Sequence, residues 1–141
     1  MSAFDALEVG RPKELGAYRF DEDDALDFAR RFDPLALLPR PESSTPTVSP
    51  WQVAAAFMRL NVLFHEKRAE LVFGPSPGVS DMVWHRPVEA GETLRYSQTV
   101  IAKRRTARRE GWGLLTTAIE ARDEGGALVF SMTGRVLVRS D

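Results

Sequence analysis

The feature that most constrains this chain is an apolar segment, SPWQVAAAFMRLNVLF, that runs from Ser49 to Phe64. Eleven of its sixteen residues are Ala, Val, Leu, Met, Phe or Trp, and Arg59 is its one charged residue. A helix that is apolar nearly all round has to be enclosed by other elements. Because the run is shorter than the roughly 20 residues of a bilayer crossing, it predicts a buried helix and no membrane span.

The ends of this predicted helix carry their own signals. Ser49 is a good N-cap, and Pro50 then occupies the first helical position, where a missing N–H costs nothing. His65, Glu66, Lys67 and Arg68 form a polar and mostly basic last turn that suits the negative end of the helix dipole. We expect His65 to be an exposed dipole partner.

Before this helix, LGAYRF at 15–20 predicts a short strand. Asp21 then caps a second helix that reaches about Phe32 and is amphipathic, since its apolar residues recur at spacings of three and four. Five prolines from Pro34 to Pro50, both included, predict a loop without regular structure, and long loops are often functional.

After the helix, alternating and β-rich segments predict a meander of long strands. The sequence DEGG at 123–126 is typical of the hairpin that joins the last two. The predicted strands are 79–88, 94–102, 111–122 and 127–139.

This order predicts an α+β fold of the hot-dog type, in which a curved antiparallel sheet wraps around one long buried helix and a short amphipathic helix lies beside it. We expect one domain over residues 1–141. Because one helix cannot cover a whole sheet face, such sheets usually pair across a two-fold axis. A homodimer or higher homo-oligomer is the expectation.

Composition narrows the classes of partner. Lys and Arg number 19 and Asp and Glu 20, so the net charge of −1 provides no general attraction to nucleic acid or to an anionic membrane. The chain has no cysteine, which excludes disulfides, thiolate metal sites and a Cys nucleophile. Two histidines without ligand spacing predict no metal site. The first ten residues lack the marks of a targeting segment, and we expect a cytoplasmic protein.

The stretch from Pro77 to Leu115 resembles the MaoC-like dehydratase and (R)-specific enoyl-CoA hydratase family. Its pattern of Gly, Trp, Pro-Val and Gly-Asp/Glu-Thr-Leu is present as Gly78, Trp84, Pro87-Val88 and GETL at 91–94. Upstream, ALDFARRFDP at 25–34 is similar to the family's helix leading into Asp-Pro, and Ser49-Pro50-Trp51 resembles its Ser-Gly-Trp helix start. The resemblance spans most of the chain.

The resemblance implies hydration of a trans-2-enoyl thioester or dehydration of a 3-hydroxyacyl thioester, with a CoA thioester as substrate or ligand and no resident cofactor. In the family an Asp, and a His five residues later, hold the water as acid and base. Asp33 matches the first, but Leu38 occupies the second position and no His lies between 34 and 64. Three alternatives stay open: a hydratase with an incomplete pair, an acyl-CoA thioesterase in which Asp33 orients water, and a non-catalytic binding or assembly subunit.

Asp33 has a structural alternative as well, because Asp before Pro commonly makes a local turn hydrogen bond. Ser49, with the N–H groups of Trp51 and Gln52, is a candidate oxyanion site, since a helix N-terminus presents unpaired donors. Pro50 removes one such donor, and Ser49 can equally serve as a cap alone. By strand alternation, we expect Trp84 to face inward and His85 outward.

A basic run lies at the turn between two predicted strands. A solvated hairpin tip explains it without any ligand, while the resemblance suggests CoA phosphates, for which Arg is better suited than Lys. Nucleic acid is disfavoured because no aromatic residues are interleaved. The run consists of Lys103, Arg104, Arg105, Arg108 and Arg109.

Overall fold

A computed structural model describes residues 2–68 and 71–141. Its helices and strands follow in the order α1 Ala3–Ala6, β1 Pro12–Arg19, α2 Glu22–Phe32, β2 Thr47–Val48, α3 Pro50–Arg68, β3 Gly78–Trp84, β4 Val88–Glu89, β5 Thr93–Arg105, β6 Trp112–Arg122 and β7 Leu128–Arg139. A 3₁₀ turn, Pro34–Leu37, follows α2 directly.

Five of the strands form one antiparallel sheet in the order β1-β5-β6-β7-β3. The DEGG turn closes the β6–β7 hairpin as predicted. Gly126 adopts a φ of 87° there, and its N–H donates to the Asp123 carbonyl over 2.9 Å. The Asp123 carboxylate accepts from Ala127 N–H over 2.9 Å. Local turn chemistry therefore sets the register of the two longest-paired strands.

The α3 helix packs against this sheet. Val53, Ala56, Phe57 and Leu60 are buried on one side of the helix, against core side chains of the strands. The buried Tyr96 hydroxyl donates to the Val53 carbonyl over 2.6 Å, and burial raises the pKa of Tyr96. The predicted α+β hot-dog fold, an antiparallel sheet with a long helix against it, is confirmed.

The predicted enclosure of α3 holds for one side only within this chain. On the other side Trp51, Met58 and Val62 are 57%, 53% and 42% exposed. They recur at spacings of seven and four, which places them along one stripe of the helix. Both sides of the helix are therefore apolar, but the sheet covers only one of them. The second side lies at the surface of the single chain.

Helix α2 follows its sequence signals. The Asp21 carboxylate accepts from Asp24 N–H at 3.3 Å, three acidic residues occupy the first turn, and Arg30 and Arg31 occupy the last. Such charges are favourable at the two ends of the helix dipole.

Several predicted boundaries and one predicted loop are wrong. The first strand begins at Pro12 instead of Leu15. The strand predicted at 79–88 ends at Trp84, because Pro87 has no N–H to continue the ladder, and the chain resumes pairing as β4. The region 34–50 contains the 3₁₀ turn and β2, which pairs with β4. A two-residue strand needs its distant partner to be recognised.

Candidate functional site

Three chain segments surround a cavity of about 580 Å³ at the N-terminal end of α3. They run from the end of α2 through the 3₁₀ turn, from β2 into α3, and from the end of β3 to β4. The charged or titratable side chains that line the cavity are Asp33, Arg40, His85 and Arg86. A cavity of this size is in the range of small-molecule sites.

Asp33 is held by Ser49. The Ser49 hydroxyl donates to Oδ2 of Asp33 over 2.6 Å, and it accepts from the N–H of Trp51 at 3.2 Å. Ser49 is fully buried and Asp33 is half-buried. A bond of this length to a carboxylate is charge-assisted, so the Asp33 side chain has a fixed orientation at the cavity.

This arrangement contradicts the local-turn alternative for Asp33. Its side chain makes no cap hydrogen bond at the 3₁₀ turn that it precedes. Its partner is instead sixteen residues away in the sequence. Leu38, at the position of the family His, is 62% exposed and does not line the cavity. The 3₁₀ turn therefore directs that position away from Asp33.

The predicted oxyanion donors are already paired within the chain. Trp51 N–H donates to the Ser49 hydroxyl, and Gln52 N–H donates to the Ser49 carbonyl over 3.0 Å. Pro50 has no N–H. The prediction that Trp51 and Gln52 present unpaired donors is therefore wrong for this geometry, because the Ser49 cap uses them. The Gln52 side chain is buried and lies outside the cavity.

Aromatic rings form the wall of the cavity next to Pro50. Trp84 donates its indole N–H to the Pro50 carbonyl over 2.8 Å. Its ring packs edge-on against Trp51 with centroids 5.1 Å apart and lies 5.7 Å from Phe130. Trp84 faces inward as predicted, and this contact ties β3 to the start of α3.

His85 lies in the same cavity as Asp33. The residue is exposed, as its strand alternation predicts, and it is also one of the residues that line the cavity. Its Nε2 is 2.9 Å from the Ser131 hydroxyl, and its backbone N–H donates to the Val129 carbonyl over 2.7 Å. This placement could not be predicted from the sequence. Alternation indicates on which face of a strand a side chain lies, but it does not indicate which distant segments lie next to that face.

Two ion clusters fix the cavity walls. Arg86 contacts both oxygens of Glu92, at 2.8 and 3.1 Å, and Asp123 at 2.9 Å. These hydrogen bonds raise the pKa of Arg86 and lower the pKa of Asp123. For Glu92, burial raises the pKa, but hydrogen bonds from Arg86 and from Glu89 N–H outweigh burial and lower it. Arg86 thus remains charged at the cavity.

The second cluster fastens the proline-rich loop. Glu89 accepts from Arg40 at 3.2 Å and from the Thr45 hydroxyl at 2.8 Å. Hydrogen bonds from Ser43 and Thr45, with Arg40 close by, lower the pKa of Glu89. Arg40, which had no distinguishing signal in the sequence, therefore connects the loop to β4 beside the cavity.

The structure does not bring the basic run to this cavity. None of its five members lines it, and along β5 the run begins ten residues after Thr93, a distance of roughly 30 Å in an extended strand. Lys103 donates to the carbonyls of Phe4, Asp5 and Leu7, each at 2.9 Å. Arg105 pairs with Asp5 at 2.8 Å, and Arg109 lies over the Trp112 ring at 4.7 Å. Within one chain these three residues have structural contacts.

His65 is half-buried and not exposed as predicted. Its ring packs edge-on against Phe73, with centroids 4.7 Å apart. Helix α3 carries it sixteen residues beyond Ser49, which is about 24 Å at 1.5 Å per residue. In residues 2–68 and 71–141, no three side chains of the metal-ligating types come together, and no helix is long and apolar enough to cross a membrane.

The chain is a hot-dog-fold protein with a polar pair, Asp33 and Ser49, at the start of its long helix. The solved structures that it resembles include MaoC-like dehydratases and an (R)-hydratase, as the sequence motifs indicated. No family model matches the chain, and no curated protein matches it.

Three solved structures show the likeness. A MaoC-like dehydratase from Rhodospirillum rubrum is 24% identical, with a TM-score of 0.80, over 96% of this chain and 94% of that one. An (R)-hydratase from A. caviae involved in PHA biosynthesis is 26% identical, with a TM-score of 0.62, over 95% and 97%. The HadBC (3R-hydroxyacyl-ACP dehydratase) complex from Mycobacterium tuberculosis contains a chain that is 16% identical, with a TM-score of 0.68, over 92% and 96%.

Proposed function

We propose that this chain binds an acyl thioester in the 580 Å³ cavity and acts on it as an enoyl-thioester hydratase or 3-hydroxyacyl-thioester dehydratase. The observation that carries the proposal is the 2.6 Å hydrogen bond from Ser49 to Asp33 at the cavity. It holds one carboxylate oxygen and leaves the second, Oδ1, to accept from a water. The structural neighbours named above, dehydratases and a hydratase, support the same reaction class.

The reaction adds water across a carbon–carbon double bond. The water oxygen bonds to C3 as its proton passes to a base, the π electrons move toward the thioester, and an acid supplies a proton to C2. Dehydration reverses each transfer. Such proton transfers need groups within hydrogen-bond reach of the water and of C2, and Asp33 is the carboxylate available in the cavity.

The experiment measures ultraviolet absorbance of crotonyl-CoA and of longer enoyl-CoA thioesters with wild-type protein and with Asp33→Asn. We expect absorbance to fall with the wild type and to stay constant with the variant. Asp24→Asn, on the exposed first turn of α2, is the matched control and should react like wild type. Stable absorbance with the wild type at every chain length contradicts the proposal.

A thiol reagent in the same assay distinguishes a thioesterase from a hydratase. If Asp33 orients water toward the thioester carbonyl, free CoA accumulates, whereas hydration leaves the thioester intact.

A second candidate function is a subunit that binds or assembles without catalysis. Leu38 at the His position favours it, and two of the similar solved structures are complexes. Acyl-CoA that binds by calorimetry without any change in absorbance or thiol release would support this candidate over the enzyme.

We propose that CoA carries the acyl substrate and that the protein has no resident cofactor. Arg104 and Arg108 are exposed, and neither contacts an acceptor in the described part of the chain. Because the run does not line this chain's cavity, we propose them as phosphate contacts for an acyl-CoA that is held by a second copy of the chain. Arg104→Ala with Arg108→Ala should weaken acyl-CoA binding, and Arg11→Ala with Lys67→Ala controls for the loss of two charges. Equal affinity in both double variants would exclude a phosphate site at Arg104 and Arg108.

A homodimer is the proposed assembly. The exposed stripe of α3 adjoins β3, an edge strand of the sheet, because Trp51 contacts Trp84. Val79 and Val83 on β3 are also exposed. We propose that these side chains belong to one apolar flank that a second copy covers.

A further inference from the structure

We propose that His85 is the second proton-transfer group of the cavity and works with Asp33 in place of the missing loop histidine. This inference rests on the proposed function, because it assigns a residue to that reaction. It adds a residue that lies outside the Asp-x-x-x-x-His spacing of the resembled family.

Few residues that line the cavity can transfer a proton. Its four charged or titratable side chains are Asp33, Arg40, His85 and Arg86. Both arginines are bound to carboxylates, and arginine stays protonated in proteins. Imidazole is the side chain that gains and loses a proton near neutral pH. Beside Asp33, His85 is therefore the one lining group suited to proton transfer.

His85 lines the cavity from a different segment of the chain than Asp33. Asp33 lines it at the end of α2, and His85 lines it between β3 and β4. The two groups thus belong to different walls of one cavity. Hydration requires proton transfer at water and at C2, and groups on separate walls can serve those two atoms of a substrate between them.

The His85 ring has a fixed orientation. The Ser131 hydroxyl lies 2.9 Å from Nε2, and the backbone of His85 is fixed by its bond to Val129. Nδ1 has no partner in the described part of the chain. Because a hydroxyl can donate or accept, Ser131 engages Nε2 in either tautomer and leaves Nδ1 for exchange with solvent or substrate. Ser131 is thus a positioning residue for His85.

The chemistry balances without any further reagent. In hydration one group accepts the proton that water loses as its oxygen bonds to C3, and the other donates a proton to C2. The pair then returns to its starting state by exchanging one proton with solvent. In dehydration the two groups exchange roles.

The activity test compares His85→Gln and His85→Asn with wild type, with Asp33→Asn and with His65→Gln. His65 is the chain's other histidine and is the matched control, because it lies at the far end of α3. We expect His85→Gln to lower kcat for crotonyl-CoA hydration at least 100-fold, in keeping with loss of a general acid or base, and His65→Gln to keep wild-type kcat. Circular dichroism establishes that each variant is folded.

The pH dependence of kcat/KM gives an independent readout. We expect one limb of the wild-type profile to be absent in His85→Gln, and Ser131→Ala to lower kcat less than loss of the imidazole does. Wild-type kcat in both His85 variants, with Asp33→Asn inactive, overturns the role of His85 and leaves the proposed function standing. A wild type without activity overturns both.

A chemical test does not depend on turnover. Carbethoxylation by diethyl pyrocarbonate, located by mass spectrometry, should modify His85 in the free protein and at least tenfold less of it with saturating butyryl-CoA. Modification of His65 should not change. Equal labelling of His85 with and without butyryl-CoA overturns the inference, because the ring would then not face the bound acyl thioester.

Discussion

Ser49 shows how one small side chain can serve a helix and a site at once. Its hydroxyl accepts from the first available N–H of α3 and donates to Asp33. One acceptor is enough at this helix start, because Pro50 has no N–H that needs a hydrogen-bond partner. The sequence predicts the cap from local preference, but it does not predict the bond to Asp33, which depends on where α2 ends.

We predict that Ser49→Ala lowers the free energy of unfolding by about 1 kcal/mol, since it removes a cap acceptor. It should also lower kcat for enoyl-CoA by roughly 10-fold or more with little change in KM, because Asp33 loses a charge-assisted donor. Urea unfolding and steady-state kinetics measure the two effects. Ser44→Ala, on the exposed part of the same loop, is the control, and equal kcat in both variants would contradict the role of Ser49.

At the scale of elements, the N-terminal helix and the loop before α3 are held by polar contacts from distant strands. Lys103 on β5 reaches three carbonyls of residues 4–7, and Phe4 packs where Gly113 of β6 leaves room. A Cβ at Gly113 would overlap the Phe4 ring. The basic run that the sequence marks as a candidate anion site is thus divided between structural and exposed members.

We predict that Lys103→Met lowers the free energy of unfolding by about 1–3 kcal/mol, because three carbonyls lose a charged donor. Arg104→Met, the adjacent exposed residue, should change it by less than about 0.5 kcal/mol. Urea unfolding measures both variants. Equal stability of the two would show that α1 does not depend on this contact.

The cluster around Arg86 predicts an acid-sensitive element. The pKa values of Glu92 and Asp123 lie below their ordinary values of 4.5 and 3.8. A carboxylate whose pKa is lower in the folded state than in the unfolded state stabilises the fold. This contribution is complete above the pKa of the unfolded state, and it is lost as the pH falls through the pKa of the folded state. The free energy of unfolding should therefore decrease as the pH falls below about 4.5.

Arg86→Gln checks this prediction by denaturant unfolding between pH 7 and pH 3. The variant should be less stable than wild type at pH 7, and the difference should narrow as the carboxylates are protonated. A difference that is constant across the range would assign the effect to packing and not to charge.

At the scale of the whole molecule, the sequence predicts the features that depend on residues close together in the chain. The long helix from Pro50, the amphipathic α2 and the DEGG hairpin follow from caps, periodicity and turn chemistry. The predicted meander holds for β5, β6 and β7, whereas β3 pairs with β7 instead of β5. Pairing of β2 with β4, the outward direction of Leu38 and the placement of His85 in the cavity depend on contacts between distant segments. Local patterns carry no information about those contacts.

The proposed homodimer is a prediction at this same scale. Sedimentation should give twice the 15.8 kDa of the chain. Met58→Lys should shift the protein toward the monomer, because a charge within an apolar interface is costly. Ile101→Lys, an equally exposed apolar position on β5, should leave the mass unchanged. A wild type that sediments as a monomer would contradict the assembly.

The paired indoles at the cavity give the protein an intrinsic optical reporter. Of the three tryptophans, Trp51 and Trp84 line the cavity, while Trp112 lies at the far end of the sheet between Arg109 and Arg139. Two thirds of the fluorophores therefore sense the polarity of one small volume. Emission should respond to occupancy of that volume without any label, and replacing Trp112 by Phe would remove the one signal that comes from elsewhere.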